Sequence, residues 1–177
     1  MFEFIFLNLL RPFSKRVITA LASFTNRENK LPNWAFYPMT HVVPCTSFEL
    51  LIVRDGMLGR EVFLTKRPAN DPEWPNAWHF PGTIMRIKDS FDTIKLRLAK
   101  SELGLTNLPG ETKFLTMLFD EDKPRGNTLH TFHTIHVEKT FENEHGKFFP
   151  LSQLPEHMIA FQKTQLASIT DPLKTSS

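Results

Sequence analysis

A segment with the features of a capped helix lies in the middle of this chain, between stretches typical of β-strands. Asp89 and Ser90 are residues that often cap the start of a helix, and Gly104 is the residue that most often follows its end. Between them the apolar residues recur at the spacing of one helix face. These are Phe91, Ile94, Leu98 and Leu103, with Leu105 just beyond the end. A helix placed between strands packs on the sheet they form, which predicts an α/β or α+β domain.

The stretches on either side alternate between strand and loop signals. Strands are predicted at residues 46–53, 60–66, 78–80, 114–119 and 129–137, a loop with three prolines at residues 68–76, and a closing helix at residues 155–168. Residues 25–35 are polar with one proline and are predicted to be a connector. The acidic sequence Asp120-Glu121-Asp122 is predicted to turn between two strands. We therefore expect one mixed sheet with a helix inserted between its strands and another after it.

Chain length and composition exclude several classes of protein. With 177 residues, 41% of them hydrophobic and 23% charged, the chain is long enough for one domain with a core and is unlike a disordered chain. The net charge is only +2, so no overall basic field attracts nucleic acid. The single cysteine, Cys45, excludes a disulfide within the chain and favours a reducing, cytoplasmic location. No apolar run approaches the roughly 18 residues that a membrane span needs.

The sequence begins with a separate apolar segment, MFEFIFLNLL. A secretory signal carries its positive charges before such a segment, whereas here Arg11, Lys15 and Arg16 follow it. At helical spacing, one face would carry the apolar residues Ile5, Leu9, Leu10, Phe13, Val17 and Ala20. We expect a helix that packs on the domain or on a partner, the alternative being an anchor on a membrane surface. Residues 1–35 are accordingly assigned to an extension and connector, and residues 36–177 to the main domain.

Residues 82–105, GTIMRIKDSFDTIKLRLAKSELGL, contain the motif that bears on chemistry. They resemble the Nudix box, G-x5-E-x7-R-E-U-x-E-E-x-G-U, in which U is an aliphatic residue. Asp89 falls on the first glutamate of that pattern, Arg97 on its arginine and Glu102 on its last glutamate. In the family, a loop and a helix present several carboxylates to Mg²⁺, which neutralises a pyrophosphate and activates water. The resemblance implies a Nudix-type α/β/α sandwich around a mixed β-sheet.

The same segment also departs from the box. Leu98 and Ser101 stand where the family has two further glutamates, and Thr83 stands where it has its first glycine, with Gly82 one step earlier. The ending RLAKSELGL is similar to the GDP-mannose mannosyl hydrolase branch, which also lacks these two glutamates. The likeness to the family in the order of strands, loop and helix extends over about residues 40–165. On its own, the segment also fits a capped amphipathic helix whose charged residues are merely solvated.

The similarity to this branch implies a metal site and a general base. In the branch one Mg²⁺ is held by the single box glutamate, by a backbone oxygen near the glycine, and by a Gln that precedes a His in a late loop. The matching positions here are Glu102, the backbone of Gly82, and Glu144, with His145 as the general base. Residues 146–151 match a short aromatic strand that leads into the last helix. The implied cofactor is Mg²⁺, or Mn²⁺ in its place; the alternative is that residues 144 and 145 are an exposed loop pair.

Four further residues are assigned supporting roles. Arg67 matches an Arg that helps the diphosphate to leave, because a guanidinium can bind two phosphate oxygens; the alternative is a surface residue at a strand end. Arg97 and Asp89 are expected next to the metal ligands or the substrate, where Arg97 would orient carboxylates by ion pairing. His79 is a candidate to face the cleft. The branch has an Arg directly after its Gly-Gly, where this chain has Ile84, so recognition of base and sugar does not transfer.

Three histidines recur at a period of three in one predicted strand, at His130, His133 and His136. Because side chains alternate along a strand, His130 and His136 share one face and His133 lies on the other. The pattern therefore argues against a three-histidine metal site on this strand. One or two of these residues are candidates to face the cleft, the alternative being ordinary residues on the strand surface.

Together the motifs predict Mg²⁺-dependent hydrolysis of a nucleoside diphosphate joined to another moiety, with a nucleotide-sugar resembling GDP-mannose favoured. Water would attack C1 of the sugar while Arg67 balances the charge of the departing nucleotide. The rival prediction is a Nudix fold that binds a nucleotide or a protein without turning it over. A third keeps the enzyme and moves the attack to phosphorus, with carboxylates such as Asp89 or Glu121. The expected partner is a small nucleotide substrate and not nucleic acid, and a homodimer is left open.

Overall fold

The computed structural model describes residues 16, 19–20, 31–71, 73–120 and 126–174. Most of the predicted N-terminal helix, most of the connector at residues 25–35, and Glu121 lie outside this part. Within it, the helices are α1 (Asn33–Thr40), α2 (Phe91–Leu103) and α3 (Ala160–Lys174), and the strands are β1 (Cys45–Gly56), β2 (Gly59–Lys66), β3 (Trp78–His79), β4 (Gly82–Ile84), β5 (Lys113–Asp120), β6 (Thr128–His136) and β7 (Gly146–Pro150). No helix of the described part is both long and apolar enough to cross a membrane.

The described strands form one seven-stranded mixed sheet. The path β3-β2-β1-β6-β5 runs through it, while β4 pairs with β1 and β7 with β2. The parallel pair is β1 with β6, from Cys45 opposite Thr128 to Val53 opposite His136, and the other strand pairings are antiparallel. Since β6 occupies one edge of β1, β4 and β2 share the other edge. This sharing sets Glu49 of β1 directly opposite Gly82 of β4.

The apolar run of β1 is buried on both faces of the sheet. Phe48, Leu50 and Ile52 belong to a core cluster that includes Ile94, Leu98 and Leu103 of α2. The alternate residues Leu51 and Val53 belong to a second cluster that includes Leu166 and Ile169 of α3. A strand covered by helices on both sides is expected to be continuously apolar. The predicted α/β/α sandwich around a mixed sheet is confirmed.

The central helix α2 has the limits that its sequence predicts. The side chain of Ser90 accepts a hydrogen bond from the Thr93 N–H, and the Thr93 hydroxyl accepts one from the Ser90 N–H. This reciprocal arrangement is a capping box, which satisfies N–H groups that the first helical turn leaves free. At the other end Gly104 has φ 64°, a left-handed conformation that a side chain disfavours. The helix therefore begins and ends through local interactions.

Two helices and one strand differ from the sequence-based expectations. Residues 33–35, expected to be connector, start α1, which contains Pro38 and lacks a side-chain cap, so its sequence carries few helix signals. The strand β4 is only three residues long and exists through its pairing with β1. The closing helix begins at Ala160 and not at Pro155, because the backbone at residues 157 and 159 is hydrogen-bonded to Trp78 of β3.

Candidate active site

A cavity of about 110 Å³ opens between the sheet and the start of α3. Strands β1, β4 and β6 supply one side of it, and the loop after β2 supplies Arg67 and Trp74. Its polar lining consists of Ser47, Glu49, Arg67, His79, Thr83, Thr128, His130 and Gln162, and its apolar lining includes Trp74, Phe80, Ile84, Ile159 and Phe161. Charged groups and aromatic rings therefore meet at one concave place, as binding sites for small polar ligands require.

Glu49 is a buried carboxylate in an otherwise apolar part of β1. It is 7% exposed and stands opposite Gly82 in the β1–β4 pairing. A Cβ atom added to Gly82 would lie 2.1 Å from Oε2 of Glu49, so the carboxylate occupies the space that a side chain at residue 82 would need. A glycine is required here for a close approach of groups.

His130 links Glu49 to a second polar group at the end of β5. Its Nδ1 atom lies 2.8 Å from the Ser47 hydroxyl oxygen and 3.3 Å from Oε1 of Glu49. Its Nε2 atom lies 3.6 Å from Oδ2 of Asp120 and has no hydrogen-bond partner among the described residues. These contacts place the imidazole in the wall of the cavity and not on the strand surface.

Glu102 lies near the carboxyl end of α2, beside His79. Its Oε2 atom is 3.8 Å from Nε2 of His79, too far for a hydrogen bond, and no described residue donates one to the carboxylate. Burial raises the pKa of Glu102 to about 7; the charge of Arg67 opposes this shift and that of Glu49 adds to it. A carboxyl group in this situation is stabilised by any cation that reaches it.

His79 is a buried, neutral imidazole at physiological pH. Burial and, to a smaller extent, the charge of Arg67 lower its pKa to about 4, while the charge of Glu49 opposes this shift. Its Nε2 atom lies 3.1 Å from the hydroxyl oxygen of Thr65 on β2. The predicted position of His79 at the cleft agrees with its place in the cavity wall.

Arg67 follows β2 directly and is held by the proline-containing loop. Its Nε atom donates to Oδ2 of Asp71 at 2.7 Å, and its guanidinium carbon lies 5.7 Å from the ring centre of Trp74. Burial by itself would raise the pKa of Asp71, but N–H groups of Trp74 and Glu73 and the Arg67 guanidinium hold it at about 2. This ion pair orients Arg67 toward the cavity, so Arg67 is not a freely solvated residue at a strand end.

Arg97 and Asp89 form an ion pair at the base of α2. Nη2 of Arg97 donates to Oδ2 of Asp89 and, at 3.2 Å, to the carbonyl oxygen of Ile84. Nη1 donates to the Thr83 hydroxyl, and Asp89 also accepts from the Arg86 N–H at 2.7 Å. The pair therefore ties the loop after β4 to the helix, and Arg97 orients Asp89 and not Glu102.

Glu144 and His145 lie in the turn that precedes β7. The Glu144 side chain is 93% exposed, and that of His145 is 43% exposed. The His145 ring lies against Gly104, where an added Cβ would come within 2.3 Å of Nε2. Asn143 fixes this turn, because its side chain donates to the Leu103 carbonyl at 2.8 Å and accepts from the His145 N–H at 2.9 Å. His145 is thus next to the end of α2, while neither residue lines the cavity.

The remaining two histidines of β6 lie away from the cavity. His133 is buried and stacks on Phe48 with 4.1 Å between ring centres, and burial and the charge of Lys95 lower its pKa. His136 is exposed, with its Nε2 atom 3.6 Å from Asp55. His130 and His133 therefore have distinct buried environments on opposite faces, as the alternation along the strand requires.

Of the predicted site residues, Arg67, His79 and Gly82 line the cavity, and Glu102 lies beside His79. The structure places Arg97 with Asp89 behind the loop and leaves Glu144 in solvent. Sequence reasoning missed Glu49; the available signal was a single acidic residue within the apolar run TSFELLIV. Among the described residues, no group of three or more His, Cys, Asp or Glu side chains is close enough together to hold a metal ion.

Comparison with known proteins identifies the fold. No protein-family model matches the sequence, and no curated protein matches it. Among solved structures, the Nudix domain of Shewanella oneidensis NrtR, in complex with ADP-ribose, is similar with a TM-score of 0.59 and 17% identity over 78% of this chain and 93% of that one. The MutT Nudix hydrolase of Burkholderia pseudomallei gives a TM-score of 0.56 and 21% identity over 72% and 99%. The C-terminal domain of mouse MUTYH, in complex with human PCNA, gives 0.58 and 11% over 76% and 92%. The chain has a Nudix fold.

Proposed function

We propose that this protein is a Mg²⁺-dependent hydrolase that acts on a nucleoside diphosphate joined to another moiety, and that its preferred substrate is a nucleotide-sugar. The observation that carries the proposal is the environment of Glu102. This carboxylate is mostly buried beside His79, lies within the electrostatic influence of Arg67, and receives no hydrogen bond from the described residues. A divalent cation on a diphosphate would supply the positive charge that this carboxylate lacks, next to a cavity that can hold the rest of the substrate.

The donor groups at this place fit Mg²⁺. The ion prefers oxygen ligands. Glu102 and the backbone of Gly82 would supply them, while the sequence resemblance alone adds Glu144, whose side chain projects into solvent. Gly82 lines the cavity, and because it has no side chain the Glu49 carboxylate lies directly against its backbone. When bound, Mg²⁺ would neutralise charge on the diphosphate oxygens.

Two side chains of the chain act on the reacting groups in this proposal. Arg67, fixed by Asp71, points a planar guanidinium at the cavity and balances negative charge on the departing nucleotide. His145, next to the end of α2, takes the proton of the attacking water. His79 stays neutral and buried, and it packs beside Glu102.

The sugar-linked substrate class is supported from two directions. The ending RLAKSELGL resembles the branch that acts on a nucleotide-sugar. The similar NrtR domain was solved with ADP-ribose, which is itself a nucleoside diphosphate joined to a sugar. Both support a substrate in which a diphosphate lies between a nucleoside and a sugar.

Turnover of a panel of nucleoside diphosphate sugars and dinucleotides with Mg²⁺ tests the proposal. Hydrolysis in ¹⁸O-water locates the attack: label in the free sugar means substitution at C1, and label in a phosphate product means attack at phosphorus. Arg67→Ala should lower kcat by about 10²-fold with a smaller change in KM, since its contribution grows as charge develops. Absence of turnover for every panel member contradicts the proposed activity.

The second candidate function is a non-catalytic binding module. The observation that favours it is the box itself, in which Leu98 is fully buried and Ser101 carries no charge, so two family carboxylates are missing. The similar MUTYH domain was solved bound to another protein, PCNA. Nucleotide binding without hydrolysis in the same panel would support this function.

A further inference from the structure

We propose that Glu49 of β1 supplies the second carboxylate of the metal site, in place of the two glutamates that the box lacks. The inference rests on the proposed function, from which it takes the divalent cation. It changes which residues would hold that cation: Glu49 of β1, whose carboxylate lies against the backbone of Gly82, would act together with Glu102 of α2.

The register of β1 and β4 brings Glu49 against Gly82. Glu49 stands opposite Gly82, and Oε2 of Glu49 occupies the place of the missing Cβ, 2.1 Å from where that atom would be. A carboxylate and a glycine backbone are therefore in direct contact in the floor of the cleft. Carboxylate and carbonyl oxygens are the ligands that hard divalent cations take in proteins.

The two oxygens of Glu49 have different surroundings. Oε1 lies 3.3 Å from Nδ1 of His130, which itself lies 2.8 Å from the hydroxyl of Ser47. No described residue donates a hydrogen bond to Oε2, and Glu49 lines the cavity although only 7% of the residue is exposed. A carboxylate oxygen that lines a cavity and receives no hydrogen bond from the protein can bind a cation. One oxygen is thus held by protein, and the other is available to a ligand.

The charges of Glu49 and Glu102 influence each other, since Glu49 favours the protonated form of Glu102 and so helps to raise its pKa. Glu102 lies 3.8 Å from His79, which lines the cavity together with Glu49. Two carboxylates that disfavour each other's charge would both be stabilised by a shared cation. The arrangement therefore favours a cation between β1 and the end of α2.

The other positions that could supply a carboxylate to the cation are unsuited to do so. Leu98 is fully buried among apolar side chains, and Ser101 is exposed on α2, so neither box position faces the cleft with a carboxylate. Asp89 is taken up by Arg97, and Glu144 projects into solvent. Glu49 is the acidic residue that lines the cavity.

Direct binding of Mn²⁺, measured by electron paramagnetic resonance of the free ion, tests the inference without substrate. Wild-type protein is compared with Glu49→Gln, Glu102→Gln, Glu144→Gln and a control, Glu138→Gln, at an exposed site beyond β6. We expect both Glu49→Gln and Glu102→Gln to weaken Mn²⁺ binding by at least about 10-fold, the lower limit seen even for residues that only support metal ligands. The control should bind as the wild type does.

Gly82→Ala gives a second variant that removes no charge. Its Cβ would displace the Glu49 carboxylate, whose flexible side chain can move, so the fold should survive while Mn²⁺ affinity falls. Thermal unfolding of each variant confirms folding before binding is measured. Should Glu49→Gln fail to fold, Gly82→Ala decides the question.

The outcomes separate this inference from the proposed function. The role of Glu49 is overturned if folded Glu49→Gln binds Mn²⁺ with wild-type affinity or, where that variant does not fold, if folded Gly82→Ala does so. It is also overturned if only Glu102→Gln and Glu144→Gln lose affinity. Either result leaves the hydrolase proposal standing. Absence of Mn²⁺ binding to the wild type overturns both. Mn²⁺ binding that depends on Glu49, together with no hydrolysis of any nucleotide, upholds the inference and contradicts only the proposed activity.

Discussion

Glu102 is the carboxyl of the cleft whose protonation burial alters most. Burial raises its pKa from 4.5 to about 7, Arg67 opposes the shift, and Glu49 adds to it. In the metal-free protein the folded chain therefore retains a proton between pH 4.5 and about 7, where the unfolded chain releases it. Because the folded state binds more protons in this window, the contribution of Glu102 to the free energy of unfolding falls as the pH rises through it.

Glu102→Gln tests whether ionisation of Glu102 destabilises the protein, since an amide does not ionise. In metal-free protein, urea unfolding at pH 4 should give the variant and the wild type the same midpoint. At pH 8 the variant should unfold at the higher urea concentration. His79, whose pKa is about 4, destabilises both proteins alike as the pH falls below 6.5, so it cancels in the comparison. A variant less stable than the wild type at pH 8 would mean that Glu102 is paired in a way the structure does not contain.

The sequence predicts those site residues whose position depends on their neighbours along the chain. Glu102 and Gly104 lie within one helical turn of each other, and Arg67 follows a strand directly, so a motif can find them. Glu49 and His130 meet only because β1 is paired with β6, and Glu49 meets Gly82 only because β1 is also paired with β4. No spacing along the chain encodes these contacts.

On α2, a buried and an exposed position stand less than one turn apart. Its apolar residues, including the fully buried Leu98, complete a core cluster, while Ser101 lies in solvent. Glutamates introduced at these two positions should therefore change the free energy of unfolding by very different amounts. Leu98→Glu buries a charge without a partner and should destabilise the protein by about 3–5 kcal/mol or prevent folding.

Ser101→Glu is the matched comparison on the same helix. An exposed substitution should change the free energy of unfolding by no more than about 0.5 kcal/mol. Urea unfolding of both variants at neutral pH measures the difference. Equal stability of the two variants would show that position 98 is open to solvent. The core would then not require leucine at this position, and packing would not explain why the family's glutamate is missing.

Local signals in the sequence predict the limits of α2, whereas long-range contacts determine the start of α3 and the presence of β4. Ser90, Thr93 and Gly104 define α2 through their own hydrogen bonds and dihedral angles, so the sequence predicts its limits. The start of α3 is delayed because the preceding backbone bonds to Trp78, far away in the chain. The strand β4 likewise has no identity apart from β1. Elements held by distant partners are the ones that sequence patterns place least well.

The whole molecule depends on β1 more than on any other element. Its residues alternate between the two core clusters, its edges hold β6, β4 and β2, and the position where β4 pairs contributes Glu49 to the cleft. The continuous apolar run predicts a strand covered on both faces, and the helix between strands predicts one of its covers. Which strand pairs with which edge is a property of the assembled sheet, and the cleft depends on it.

The domain boundary that the sequence predicts after residue 35 falls inside α1 (Asn33–Thr40), and two shortened chains test where the folded unit begins. Both core clusters consist of residues between 48 and 169, so a chain that starts at residue 31 should keep the melting temperature of the full chain to within about 2 °C. A chain that starts at residue 41 loses the buried Ala35 and Thr40, and it loses the contact of the Thr40 carbonyl with Gly126 beside β6. Its melting temperature should fall by about 3–8 °C. Circular dichroism during heating measures both melting temperatures. If the chain that starts at residue 31 melts at the same lowered temperature as the chain that starts at residue 41, residues 1–30 contribute to the core.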